Sequence, residues 1–409
     1  MIRVIVVFAI IMLAIIMLVL TLPISVIQNK KPSFVIKELP FEVATYETDI
    51  DDNFSFVGSW HDRYDDSNRG LYLANLDLLG RLQVTYYPQN GESKRNSFVY
   101  ISPRPVIAYQ TFSIDNHMIL LGLYLGSDEE RFFNITRIGY GNNFSDVTNL
   151  FSDVCDRFPH LSVTNLYPKQ PISVNGGVEN QLEQRIILNY DRGGESRLLL
   201  LNKYLGVGNE HTIIGVGMYE YFDEGNLASG KRILFCGGYG EYVYYQVIYN
   251  SMRDPSPEIS NFESHGTPVL YRYRISDESI EKVWDMDKIS LNINANKDIA
   301  LVSEYDYNAP LFNSGKIISL KNKDKYFEIP GIESGSDIMQ SQFISEKQLV
   351  FYTSKSLYFT DLEKDVLYAY SLDEVREIQL STNGVLFTKN NQNNTLSYYS
   401  ILFENIFEK

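Results

Sequence analysis

Residues 269–284 read VLYRYRISDESIEKVW. Val269, Tyr271, Tyr273 and Ile275 alternate with Leu270, Arg272 and Arg274, and a period of two puts one row on each face of a strand. β-branched and aromatic residues dominate the run, as a pleated surface favours. Ser276-Asp277-Glu278-Ser279 then supplies turn chemistry, because Asp and Ser side chains bond to their own backbone. Ile280–Trp284 resumes an extended run. The unit is strand, tight turn, strand.

The same grammar extends in both directions. Short runs rich in Tyr, Phe, Val and Ile recur at Met118–Leu125, Arg131–Thr136, Arg185–Tyr190, Arg197–Tyr204, Lys231–Phe235 and Glu241–Tyr249. They continue through Ile299–Glu304, Gln348–Thr353, Val366–Tyr370, Gly384–Thr388 and Leu396–Leu402. Asn175-Gly176, Arg192-Gly193-Gly194 and Asn383-Gly384 are hairpin-type signals between such runs. Little room is left for crossover helices, which disfavours parallel α/β folds. One helix is expected near 146–158. There Val147, Leu150, Phe151, Val154 and Phe158 follow a helical spacing behind Ser145 or Asp146 as cap.

Many short antiparallel strands in one chain resemble a β-propeller in architecture, although no blade signature repeats. At roughly 40–50 residues per four-stranded blade, the length implies seven or eight blades. A strand at 53–58 would complete the blade formed by Leu396–Leu402. Stacked β-sandwiches are the alternative all-β arrangement.

Ahead of the strands, Val4–Ile27 contains no charged residue. A helix crossing a bilayer needs about 20 apolar residues, whereas a cleaved leader has a shorter apolar core and a small-residue cleavage site. Residues 1–28 are therefore expected to form a transmembrane signal anchor and 29–40 a stalk, with an all-β ectodomain over 41–409. Arg3 lies before the apolar run, and Lys30, Lys31 and Lys37 lie after it. Charge counting thus gives no clear orientation, but long domains translocate largely regardless of charge. The expected location is a single-pass membrane protein with its C-terminal domain on the extracytoplasmic side.

Composition narrows the partners. Apolar residues make up 44% of the chain and the net charge is −15, which allows a large core and argues against nucleic acid. An extracytoplasmic location would permit a disulfide between Cys155 and Cys236; two separate buried thiols are the equal alternative.

Motif chemistry is sparse. The chain has no H-E-x-x-H, P-loop, G-x-S-x-G or C-x-x-C motif, and its five His residues show no ligand spacing. No cofactor or metal is expected. Asp49-Ile50-Asp51-Asp52-Asn53 alternates carboxylates but departs from a calcium loop at Phe54 and Trp60. Cys236-Gly237-Gly238-Tyr239-Gly240 follows a strand and precedes another, so a turn or bulge is expected there rather than a phosphate cradle. The densest polar cluster is Trp60-His61-Asp62-Arg63-Tyr64-Asp65-Asp66. Trp60, His61, Arg63 and Tyr64 are its candidate binding residues, and His61, Asp62, Asp65 and Asp66 its candidate acids and bases. The expected function is binding of another protein, as an envelope accessory or immunity-type factor. The alternative is a glycan-active hydrolase or lyase with carboxylates converging on a propeller channel.

Overall fold

A computed structural model describes residues 35–38, 44–51, 55–61, 69–88, 97–114, 117–126, 130–139, 147–168, 172–174, 177–179, 182–201, 210–217, 220–221, 228–252, 263–264, 269–285, 292–297, 299–304, 314–321, 326–328, 338–364, 366–373, 375–380, 384–390, 395–403 and 406. Among these residues the fold is all-β, with seven sheets of four or more strands and one two-stranded ribbon.

The sheets follow one another along the chain. Sheet 1 comprises Ser55–His61, Arg69–Leu76, Arg81–Pro88 and Ser97–Pro105. Sheet 2 comprises Ala108–Ile114, His117–Leu125, Arg131–Gly139 and Val147–Val154. Sheet 3 comprises His160–Leu166, Glu183–Arg192, Glu195–Leu201 and His211–Gly217. The long strands of sheet 4 are Ala228–Tyr239, Tyr242–Met252, Val269–Arg274 and Ile280–Asp285. Sheet 5 holds Asn292–Asn296, Ile299–Glu304, Ser314–Ser319 and Tyr326–Glu328. Sheet 6 holds Gln340–Phe343, Gln348–Tyr352, Ser356–Asp361 and Val366–Ser371. Val35–Glu38, within the segment read as a stalk, adds to sheet 6 in parallel beside Val366–Ala369.

Sheet 7 contains Val375–Leu380, Gly384–Asn390 and Thr395–Leu402, and takes its fourth strand from the other end of the chain. Ala44–Asp51 pairs antiparallel with Thr395–Leu402, joining early and late sequence in one sheet. The expected closing strand at 53–58 is thereby corrected. Ala44–Asp51 matches the eight residues of its partner, and Ser55–His61 goes on to open sheet 1. This serial stack of meanders, closed by an N-terminal strand, is a β-propeller architecture.

Strands of sheets 2 to 6 are apolar on both faces because each of these sheets is covered twice. His117–Leu125 is buried from Met118 through Tyr124. Six apolar clusters mortar the seven sheets in sequence. Ala74 and Val84 of sheet 1 meet Met118 and Leu120 of sheet 2. Phe133 and Phe151 meet Ile186 and Tyr190 of sheet 3, and Ile187 and Leu198 meet Val243 and Tyr273 of sheet 4. Leu270 and Tyr244 then meet Ala295 and Val302 of sheet 5, Leu301 and Ile317 meet Phe351 and Tyr358 of sheet 6, and Phe359 meets Val385 and Phe387 of sheet 7. The 269–284 hairpin spans two of these layers: Tyr273 and Ile275 face sheet 3, while Leu270 faces sheet 5. Its turn is held by Asp277, whose Oδ1 accepts from the Ser279 hydroxyl at 2.6 Å, with Glu278 at a positive φ of 61°.

The helix expected near 146–158 is instead the outer strand of sheet 2, Val147–Val154. Its register against Arg131–Gly139 shifts between Asn149 and Phe151. That bulge turns consecutive Leu150 and Phe151 both inward, while Val147 and Phe158 of the expected apolar helix face are exposed. Cys155 and Cys236 are free, buried thiols in different clusters, so the bridge between them is not formed. Among the described residues no helix is long and apolar enough to cross a membrane. The apolar run at residues 4–27 lies outside them.

Candidate functional site

The first strands of sheets 2 to 7 surround a central channel of about 350 Å³. Six sheets therefore contribute its described lining, against the seven or eight blades expected from length. Sheet 1 packs on sheet 2 through the cluster of Ala74, Val84 and Met118. The lining is rich in amides and hydroxyls: Gln110, Ser162, Asn189, Asn294, Gln340 and Gln342 are among its residues, and none of those described is charged.

Many of these groups staple one innermost strand to another. Gln110 of sheet 2 exchanges two long hydrogen bonds with the Leu161 backbone of sheet 3, at 3.4 and 3.5 Å. The Thr164 hydroxyl of sheet 3 donates to the Gly238 carbonyl of sheet 4, and the backbones of Tyr167 and Asn165 meet Gly240 at 2.8 and 2.9 Å. Asn294 Nδ2 of sheet 5 donates to the Ser341 carbonyl of sheet 6 at 2.9 Å. Gln379 Nε2 of sheet 7 reaches the Thr111 carbonyl of sheet 2 at 2.7 Å. An innermost strand has a free edge, and a backbone carbonyl there needs a donor; the amide side chains supply it.

Gly237 lets sheets 4 and 5 approach. Its φ is +96°, and a Cβ there would stand 2.9 Å from the Ala295 nitrogen and 3.0 Å from its carbonyl oxygen. The register against Tyr242–Met252 shifts between Phe235 and Gly238. The glycine run 237–240 is thus a bulge and hairpin turn in a strand, as its setting between two strands implies.

His160 opens onto the channel beside Ser162, whose hydroxyl lies 3.1 Å from Nε2. His160 is exposed to the channel space, and desolvation by the channel walls pulls its pKa below the ordinary 6.5. A folded pKa below the unfolded one means that the unfolded chain binds the proton first. This contribution to stability is full above 6.5 and declines as pH falls towards the folded value. His160→Gln is expected to flatten that part of the stability–pH profile. Urea unfolding of variant and parent on both sides of pH 6.5 checks this; identical slopes would refute it.

A second cavity, of about 560 Å³, adjoins the channel and shares Gln110, Phe112, Met339 and Gln340 with it. Here sheet 7 contributes Ile378, Gln379, Phe387 and Thr388, and Glu377 is the carboxylate among the described lining. The two thiols do not offer a nucleophile. Burial pushes Cys155 up to about 11 and Cys236 up to about 12, leaving both protonated at neutral pH.

Of the cluster singled out in the sequence, only Trp60 and His61 fall among the described residues. Trp60 and His61 end the first strand of sheet 1, opposite Gly70 and Arg69. Asp62, Arg63, Tyr64, Asp65 and Asp66 lie outside the described residues, as do Asp52 and Asn53 of the alternating carboxylate stretch. The channel residues lack a motif: they are polar residues scattered over strands of sheets 2, 3, 5 and 6. The legible signal is a polar residue interrupting an apolar strand, as Asn189 does between Leu188 and Tyr190.

No protein-family model matches the chain, and no curated protein matches it in sequence. Solved structures match in fold. The β-propeller domain of the Trilobed protease from Pyrococcus furiosus aligns at 9% identity over 85% of this chain and 95% of its own, with a TM-score of 0.45. A prolyl endopeptidase aligns at 8% identity over 86% of this chain with a TM-score of 0.48, and the match spans 48% of the endopeptidase. YCF48 bound to D1 peptide aligns at 9% identity over 90% of this chain and 99% of its own, with a TM-score of 0.40.

Proposed function

We propose that this chain is a binding protein that captures another protein at the channel of its propeller, held at a membrane by residues 4–27 with the propeller on the extracytoplasmic side. The observation that supports binding is the channel lining itself. Amides and hydroxyls on five separate strands offer hydrogen bonds of both senses without a charge. Such a surface suits a peptide segment, whose backbone presents alternating donors and acceptors. The rival glycan hydrolase calls for two carboxylates facing one bond, and the described lining of the two cavities contains only Glu377.

Affinity capture of the full-length chain from gently cross-linked native membranes, followed by mass spectrometry, tests the proposal. One stoichiometric protein partner is expected, with the chain recovered in the membrane fraction. Recovery of nothing beyond a control carrying residues 1–40 alone would overturn it.

A further inference from the structure

Donors and acceptors in the channel are not balanced. Where an amide of the lining is held in place, its nitrogen is spent on a backbone carbonyl. Asn189 Nδ2 donates to the Arg197 carbonyl at 3.0 Å, and Asn294 Nδ2 donates to the Ser341 carbonyl at 2.9 Å. The Thr164 hydroxyl is likewise committed to the Gly238 carbonyl. The oxygens are left over. Asn189 Oδ1 and Asn294 Oδ1 accept no hydrogen bond from the described protein groups, and neither is sealed from water as Gln379 Oε1 is. Asn294 Oδ1 stands in the space that a Cβ on Gly237 would fill, and Gly237 lines the channel. Gln340 and Gln342, exposed and half-buried on the first strand of sheet 6, can turn their amide oxygens inward as well. The described lining contains no Lys or Arg, and the chain as a whole carries a net charge of −15.

We infer that the channel receives an arginine side chain presented by the captured protein; the inference rests on the partner-binding reading above. A guanidinium has five N–H donors and no acceptor, which matches a wall of oriented oxygens. It is more weakly hydrated than an ammonium, so less is lost when it leaves water. Rings of uncharged carbonyl oxygens hold cations in this way, by replacing the hydration shell. The net negative charge of the chain favours the approach of a cation over long range. Phe112 and Phe235 in the lining add aromatic surface for the planar group. The adjoining cavity contributes Glu377 and, among its described lining, no cation. The channel volume of about 350 Å³ lies within the range of roughly 300–1,000 Å³ typical of ligand sites.

The probes are N-acetylargininamide and its uncharged isostere N-acetylcitrullinamide. They are titrated onto the full chain in detergent by ligand-observed NMR at pH 7.5, where His160 is neutral. The arginine probe is expected to bind roughly three- to tenfold more tightly than the citrulline probe. Gln342→Glu and Gln342→Lys place opposite charges in the lining and leave the Asn189, Asn294 and Thr164 bonds intact. They are expected to raise and lower affinity for the arginine probe by roughly three- to tenfold each, with the citrulline probe and the Tm little changed. The assignment is overturned if the two probes bind equally or not at all, or if both Gln342 variants bind the arginine probe alike. Capture from native membranes with Gln342→Lys separates the two claims. A partner recovered at the parent level by Gln342→Lys removes the arginine and keeps the partner-binding reading; no partner with the parent chain removes that reading.

Discussion

Replacing Arg232 with methionine is expected to cost about 3–5 kcal/mol of folding stability, the range found when one member of a buried ion pair is removed. Asp191, on the second strand of sheet 3, is 3% exposed. Arg232, on the first strand of sheet 4, places Nη2 2.5 Å from Asp191 Oδ2. The pair bridges two sheets beside the cluster of Ile187, Leu198 and Ile233. Without the guanidinium, a carboxylate is left in a site that water barely reaches. The loss is a penalty on the survivor rather than the net worth of the pair, so removing both charges should recover most of it. Equilibrium urea unfolding of Arg232→Met, Asp191→Asn and the double variant closes the cycle. The double variant is expected to be more stable than Arg232→Met alone. A double variant that loses the sum of the two single losses would mean that Arg232 acts through its packing and not through the Asp191 charge.

Gly237→Ala is expected to cost about 2–5 kcal/mol, combining a left-handed backbone with overpacking of the inner strands. The added methyl would meet the Ala295 backbone, which cannot rotate away as a side-chain tip can. Gly193 supplies the comparison. It lies in the two-residue turn between Arg192 and Glu195 with φ of +57°, and a Cβ there meets nothing within 4 Å. Gly193→Ala is therefore expected to cost only about 1–2 kcal/mol, the conformational part alone. Thermal unfolding of the two variants separates crowding from backbone strain. A loss for Gly237→Ala no larger than that for Gly193→Ala would show that sheets 4 and 5 do not approach as closely as described.

The strands were legible because alternation and turn chemistry are local. Val269–Trp284 and the Arg192-Gly193-Gly194-Glu195 hairpin, with positive φ at both glycines, follow from residue types alone. The strand at Val147–Val154 was not legible, since one bulged residue converts a period of two into an apparent helical spacing. Sheet closure was half legible: a strand from the N-terminal end was expected opposite Leu396–Leu402, but its assignment slipped from 44–51 to 53–58. Two strands in succession each carried adequate pattern, and register is decided by tertiary pairing.

The site was the least legible part. His61 and Asp62 attracted attention because polar residues stand together in sequence there. Gln110, Asn294, Gln340 and Gln379 stand together only in space, one from each of four sheets. A ring of innermost strands gathers residues separated by whole blades, so no local window reveals the channel. What a strand can show is a polar residue among apolar neighbours, as at Asn189, which becomes meaningful once the ring is closed.

Site-specific photo-cross-linking most directly tests the claim that the channel is where this protein binds its partner. A benzoylphenylalanine would replace Gln340, which lines both cavities, or Leu78, fully exposed at the turn between the second and third strands of sheet 1. Irradiation of the full-length chain in native membranes is predicted to give one protein adduct from position 340 and none from position 78. An adduct from position 78 alone would contradict the account.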